Sequence, residues 1–431
     1  MSRSTSEFKF GWPVVVASAV GIGLGMSPLP FYTIGVFAQS LAAEFGWGIG
    51  NIMSSLAVFT AGGVLSSPIV GQLTDRYGPR RVVLISIILF SLSFMSFSLM
   101  NGSMVMYLGI WLMLAVFGAG TLPITFTRAV NGWFFEKRGL ALGLALLGTG
   151  VSGYLIKPYT EFMIDSFGWR GAYVAVGALP ILIAWPIAFF LFRDVDDPKV
   201  ADRAAKMVRE TAKPTAKPGG LSLREALSDW RFWLLAYSFV PISFAVGGPI
   251  PNMETLLDTK GFGRDDAIQL AQLIGIAVII GRITGGFLLD HFWAPAVAAI
   301  ILSVPALAVY MLAQPDMTFM YAAIAIMILG AAAGVEYDLM AYLVSRYFGM
   351  AHYAAIYGAL YGFFALGAGV GPAVFGASFE ANGNYDSILM VCAGLFLAGA
   401  LPLLLLGKYR DYQNEPETSA SAEPAETAPP S

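Results

Sequence analysis

Twelve apolar stretches, each long enough for the ~20 residues that a helix needs to cross a bilayer core, dominate this chain and constrain its fold more than anything else in it. They occupy residues 12–37, 49–73, 82–100, 105–131, 140–162, 172–192, 232–257, 267–289, 294–312, 319–344, 354–379 and 388–406. A hydrocarbon interior offers no water to backbone N–H and C=O groups, so segments of this kind close their hydrogen bonds within helices. The expectation is an all-α integral membrane protein of twelve spans. Composition agrees, because 57% hydrophobic and 12% charged residues lie outside the range of soluble domains.

Loop charges orient the spans, since Lys and Arg in short connections stay on the cytoplasmic side. With twelve spans the even-numbered connections carry the cations: Arg76, Arg80 and Arg81 in the second, Lys137 and Arg138 in the fourth, a basic sixth, Arg346 in the tenth, and Lys408 with Arg410 after the last span. The odd connections, around Glu44, Asn101, Asp165, Asp316, Glu380 and Asp386, are acidic or neutral, although the seventh also holds Lys260 and Arg264. Both termini are therefore expected in the cytoplasm of a multi-pass protein of the inner or plasma membrane. The expected units are a six-helix bundle at 1–192, a cytoplasmic linker at 193–229, a second six-helix bundle at 230–410 and a disordered tail at 411–431. The first apolar stretch is long enough to remain in the membrane, so a cleaved leader is not expected.

The second connection reads Gly71-Gln72-Leu73-Thr74-Asp75-Arg76-Tyr77-Gly78-Pro79-Arg80-Arg81, and half a chain later, with Asp290 in the place of Asp75, Gly286-Phe287-Leu288-Leu289-Asp290-His291 repeats its GxLxD core. The same offset carries Gly143 onto Gly358. The second copy is eroded: His291 stands where the first has Arg76, and the basic turn is missing. Small Gly71 permits close helix approach, Asp75 suits a neighbouring helix end, and Gly78 with Pro79 makes the turn. This GxLxDRxGxRR pattern resembles the signature loop of the major facilitator superfamily, with Gly71, Asp75, Arg76, Gly78, Arg80 and Asp290 at its gating positions. The resemblance implies two six-helix bundles related by a pseudo-two-fold repeat about an axis along the membrane normal, working by alternating access.

A second pattern, Trp133-Phe134 followed by Lys137-Arg138-Gly139-Leu140-Ala141-Leu142-Gly143, together with Gly168-Trp169-Arg170, resembles the monocarboxylate porter and oxalate/formate exchanger branch. In that branch the position of Arg282 in the eighth span looks like the binder of a substrate carboxylate. The oxalate carriers have a Lys in the eleventh span where this chain has Phe364, and the monocarboxylate carriers have an Asp where it has Val278. Losing the second cation argues against a small dianion. Tyr357, Tyr361 and Phe364 suit a larger, partly apolar monoanion, although aromatics in a membrane helix ordinarily serve packing.

Ionisable groups inside spans are costly and mark function. Arg282 lies four residues, ~6 Å at 1.5 Å per residue, from Val278 near the middle of its span, and must meet either a polar cavity or a carboxylate. Glu336 and Asp338 in the tenth span are the other expensive groups; two apart on a helix, they point to different sides. They read equally as a proton-coupling site or as a static ion-pair network with Arg282 or Arg128. Arg128 either touches substrate or snorkels to the cytoplasm. Tyr32 offers a hydroxyl to the cavity or packs. Pro28 and Pro30 kink the first span, and Lys157 with Glu161 is spaced for an i,i+4 pair.

The expected function is secondary active transport of an organic monocarboxylate, with proton coupling or anion exchange. Proton-coupled efflux of hydrophobic or cationic compounds through Glu336 and Asp338 is the alternative, and a non-transporting membrane sensor on the same scaffold is a third reading. An enzyme is not expected, because no nucleophile with a neighbouring base is visible. A GxxxxGK[ST] phosphate loop is absent from the sequence. Gly21-Ile22-Gly23-Leu24-Gly25 lies inside an apolar helix, the wrong context for nucleotide binding. Two His and one Cys leave no metal cluster or disulfide, so no metal or cofactor is expected. The net charge of −3 suggests no nucleic-acid partner. The expected partners are a small organic anion, protons and membrane lipid, and the working unit is a monomer.

Overall fold

A computed structural model describes residues 4–410 apart from 49–50, 53, 196, 201 and 203–218. The disordered tail expected at 411–431 and the centre of the linker, with Pro214 and Pro218, lie outside the described residues.

Among those residues, nine helices are long and apolar enough to cross a membrane. The longest of them, Arg138–Leu191, holds two spans, because Gly168 takes a positive φ of 70° that only glycine adopts without strain and the chain turns there. The first and seventh spans are each broken midway. Ser4–Gly23 and Leu29–Phe45 flank a turn at 24–28, and Trp230–Gly247 and Met253–Thr259 flank another at 248–252. Together these give the expected twelve. The first break is sharper than a kink: Pro28 and Pro30 supply no ladder N–H groups, and within the turn the Met26 N–H donates to Thr121 Oγ1 at 2.9 Å.

Two bundles of six helices meet along two seams. The second span (Ser55–Tyr77) packs on the eleventh (Tyr353–Asn382), and the fifth, which begins at Arg138, packs on the eighth (Arg264–His291). Glycine permits the approach. A Cβ at Gly71 would strike the Ala354 carbonyl, and a Cβ at Gly139 or Gly286 would strike the other's backbone.

The described ends of the linker are docked on the bundles. Trp133 Nε1 donates to the Arg193 carbonyl at 2.9 Å. At the far end, Leu221 N donates to Phe348 O (2.8 Å) and Met350 N to Gly219 O (3.0 Å), where Gly220 and Gly349 form an antiparallel bridge. A short helix follows, Leu223–Ser228, started by a reciprocal Ser222–Glu225 capping box.

Candidate functional site: a polar seam between two bundles

The eighth and tenth spans bring the two expensive charges together. Arg282 is 2% exposed and its Nη1 donates to Asp338 Oδ1 at 2.9 Å, with Asp338 fully buried. Its Nη2 crosses to the other bundle and donates to Thr149 Oγ1 at 3.1 Å. Three polar atoms of this group have no hydrogen-bond partner among the described residues: Arg282 Nε, Asp338 Oδ2 and Glu336 Oε2. Glu336, buried like Asp338 but two residues earlier, makes no ion pair with Arg282; the helical turn between them aims only Asp338 at the guanidinium. A buried ion pair repays its desolvation only if the remaining lone pairs and protons are also met. Here they are not all met by the protein.

The pair sits on the seam itself. A Cβ at Gly143 of the fifth span would lie 2.6 Å from the Arg282 carbonyl oxygen and 3.5 Å from Asp338 Oδ2. Tyr32, from the second half of the broken first span, packs against Gly153 of the fifth.

An aromatic wall from the tenth and eleventh spans lies alongside. Tyr337 packs on Phe364 (4.8 Å between ring centres) and Tyr361 (6.1 Å), and Tyr361 stacks on Phe364 at 6.0 Å. Tyr357 stacks on Tyr353 at 5.7 Å, is fully buried and leaves its hydroxyl unpartnered. Of the expected substrate residues, Tyr32 packs on the fifth span that carries Thr149, and Tyr361 and Phe364 pack on Tyr337, the residue between Glu336 and Asp338, while Tyr357 stacks on Tyr353.

Arg128 stands elsewhere. Its Nε is 3.4 Å from Asp75 Oδ1 and its Nη1 3.8 Å from Asp194 Oδ2, in a cluster at the end of the molecule that carries the second and fourth connections, the basic face. Neither snorkelling nor membership of the Arg282 group describes it. Asp75 also accepts from Ala354 N (3.3 Å) and Ala355 N (2.8 Å), the first amides of the eleventh span. Asp290 does the same for the fifth span, accepting from Gly139 N (2.6 Å) and Leu140 N (3.0 Å). Around these caps, Arg138 Nη1 reaches Ser345 Oγ at 3.0 Å and Tyr353 OH reaches Thr127 Oγ1 at 3.1 Å. These bonds join the two bundles and close the basic face. Gly78, with φ 84°, makes the turn beside Asp75, Arg76 lies over the Tyr77 ring, and Arg80 Nη2 donates to the Phe189 carbonyl at 2.6 Å.

Lys157 and Glu161 form no ion pair with each other; both are exposed, where pairing returns little. No group of three His, Cys, Asp or Glu suited to a metal occurs among the described residues.

Three polar residues escaped the sequence reading. Thr149 hides between Gly148 and Gly150. Asp194 follows the sixth span as an ordinary linker acid. Glu7, in the first turn of the Ser4–Gly23 helix, is 1% exposed and accepts from the consecutive amides of Phe135, Glu136 and Lys137 at 3.0–3.2 Å. Its one sequence signal is an acid beside an apolar run.

Comparison with known proteins shows the family of the chain and the fold that it shares. The model of the family described as Major Facilitator Superfamily matches residues 20–372. The chain is 30% identical over 389 residues, 90% of its length and 94% of the other's, to an uncharacterized 38 kDa protein in the 23S RNA operon of Thermoproteus tenax. It is 26% identical to monocarboxylate transporter 13 of Rattus norvegicus, covering 92% of this chain and 89% of that one. Against monocarboxylate transporter 11 of Homo sapiens it is 29% identical, covering 66% of this chain and 58% of the relative. Two solved structures share the fold: the proton:xylose symporter XylE bound to 6-bromo-6-deoxy-D-glucose (TM-score 0.71, 12% identity, 93% and 96% covered) and the human organic anion transporter MFSD10 (TM-score 0.67, 16% identity, 92% and 99% covered).

Proposed function

This chain belongs to the Major Facilitator Superfamily, and we propose that it is a transporter whose cargo is an organic monocarboxylate, bound at the seam by Arg282. The observation that carries this reading is the incomplete satisfaction of a buried cation: Arg282 spends Nη1 on Asp338 and Nη2 on Thr149 and keeps Nε unengaged. A planar guanidinium engages a carboxylate through two parallel bonds, and the Tyr357, Tyr361 and Phe364 wall suits the apolar part of such an anion. The names of the monocarboxylate transporter relatives support the same class.

Asp338 is then the coupling group. A substrate carboxylate and Asp338 compete for Arg282, and a proton taken up by Asp338 frees the guanidinium for substrate. Arg128 is assigned with Asp75, Asp290 and the Arg76–Arg80 turn to the gate at the basic face. The protein works as a monomer in the cell membrane with both termini cytoplasmic, its bundles at 1–192 and 230–410, its linker at 193–229.

Glu336 favours a second reading. A buried carboxylate outside the Arg282 pair suits a cationic or hydrophobic compound exported against protons. One experiment separates the two: proteoliposome uptake of labelled acetate, pyruvate, benzoate and phenylacetate, with and without a pH gradient, beside labelled tetraphenylphosphonium. Saturable, protein-dependent carboxylate uptake is expected. Transport of the cation with no carboxylate carried overturns the first reading in favour of the second.

A further inference from the structure

We infer that Thr149 is a positioning residue for the substrate, the point at which the first bundle takes hold of an anchor that belongs to the second. The inference rests on the reading of Arg282 as the carboxylate anchor and deepens it.

Three consecutive residues of the fifth span face three partners. A Cβ at Gly148 would strike the Ala19 carbonyl of the first span, and a Cβ at Gly150 would lie 3.1 Å from Ile279 Cγ1 of the eighth. These contacts fix the fifth helix against both neighbours and leave the side chain between them, Thr149, directed at Arg282. Its hydroxyl has one proton, and that proton is committed: Oγ1 donates to the Leu146 carbonyl at 2.9 Å. Oγ1 therefore meets Arg282 Nη2 purely as an acceptor, at 3.1 Å.

Two acceptors from opposite bundles thus hold the two terminal nitrogens of one guanidinium, Asp338 from the second bundle and Thr149 from the first. A planar fork held at both tips is fixed in rotation; once a protonated Asp338 lets go of Nη1, Thr149 alone keeps the fork aimed, and the rest of it, with the unengaged Nε, is left for an incoming carboxylate. The arrangement also links binding to movement. Arg282 is aimed correctly only while the fifth and eighth spans stand at this separation, so relative motion of the bundles changes the hold on the substrate without breaking any bond to it.

The test measures KM and maximal rate in proteoliposomes for Thr149→Val and Thr149→Ser, with the carboxylate that the wild-type protein carries best among acetate, pyruvate, benzoate and phenylacetate. Val keeps the shape of Thr and removes the acceptor; Ser keeps the acceptor and removes the methyl. Losing one hydrogen bond to a charged group raises KM about tenfold for Thr149→Val, and Thr149→Ser recovers most of that loss. With Arg282→Lys already in place, Thr149→Val adds no further loss, because the planar fork it positions is gone. Unchanged KM in Thr149→Val overturns the inference, and so does an equal loss in both variants, which would make methyl packing the cause. Arg282→Lys alone separates the two levels: if it leaves KM unchanged, or if wild type carries no carboxylate, the anchor reading fails and the role of Thr149 falls with it. If Arg282→Lys raises KM while Thr149→Val does not, only the positioning role fails.

Discussion

Asp75 and Asp290 occupy matching places in the two bundles, and each accepts hydrogen bonds from two consecutive amides that open a helix of the opposite bundle, Ala354 and Ala355 in one case and Gly139 and Leu140 in the other. A carboxylate at a helix N-terminus meets unsatisfied N–H groups and the positive end of the helix dipole together. Both caps cross between the bundles at the closed basic face, so both contribute to the stability of that arrangement, and neither touches the Arg282 group.

The first expectation follows directly. Asp75→Asn keeps the shape and removes the charge, weakening the closed state by about 1 kcal/mol, so maximal transport rate falls several-fold with little change in substrate affinity. Asp290→Asn behaves alike. Equilibrium binding of a carried carboxylate by purified protein checks this: if Asp75→Asn abolishes binding in a folded protein, the gate assignment is wrong.

Glu7 predicts a stability effect instead. Its carboxylate holds three consecutive amides ahead of the fifth span, and Asp290 takes the next two available at Gly139 and Leu140. Glu7→Ala removes the acceptor from all three in a part-buried site, costing about 2 kcal/mol; Glu7→Gln retains one acceptor and costs about half of that. Thermal melting in detergent should rank wild type above Glu7→Gln above Glu7→Ala, and indistinguishable melts would show that the contact contributes nothing.

Coupling is the third expectation. With Asp338 on Arg282 and Glu336 off it, Asp338→Asn should remove accumulation driven by a pH gradient and leave counterflow of labelled substrate intact, since counterflow needs no net proton movement. In the wild type, acidifying the substrate side should raise apparent affinity, because protonated Asp338 releases the guanidinium. Glu336→Gln reports on the second reading: loss of accumulation there, with Asp338→Asn unaffected, would move the proton site to Glu336.

How much of this was legible beforehand divides by chain distance. Local features were readable: the spans follow from their apolar runs, and Gly78 was placed at its turn because a turn is a local event. The internal repeat also pairs two residues that the seams use, since Gly143 lies against the Arg282 carbonyl and its counterpart Gly358 against that of Ser67. What the repeat did not name were the recipients. Asp75 was visible as a cap without a helix, because Ala354 and Ala355 arrive from the other bundle. Arg128 reads from sequence as a substrate contact, a snorkelling cation or a partner of the tenth-span carboxylates, whereas its partners in the structure, Asp75 and Asp194, belong to two other segments. Thr149 carried no signal, because a single hydroxyl in a glycine-rich helix ordinarily bonds its own preceding turn; it does so here as well, and only the fold turns its remaining lone pair toward Arg282.

The last expectation concerns Arg282 itself. As an anchor it needs its planar fork, so Arg282→Lys, which keeps the charge, should raise KM by ten- to a hundredfold while insertion and folding survive. A purely structural Arg282 predicts a different pattern, and the 2.9 Å bond to Asp338 names the partner on which to test it. Removing one member of a buried pair leaves an uncompensated charge and is strongly destabilising, by about 3–5 kcal/mol, whereas replacing both is often close to neutral. Arg282→Ala should therefore destabilise the protein under either role, and Arg282→Ala with Asp338→Ala should restore its melting temperature under either role. Transport separates them. An anchor is gone in the double variant, so it melts normally and carries no carboxylate; a structural pair is dispensable once both charges are removed, and carboxylate transport returning at near-original affinity would sink the anchor.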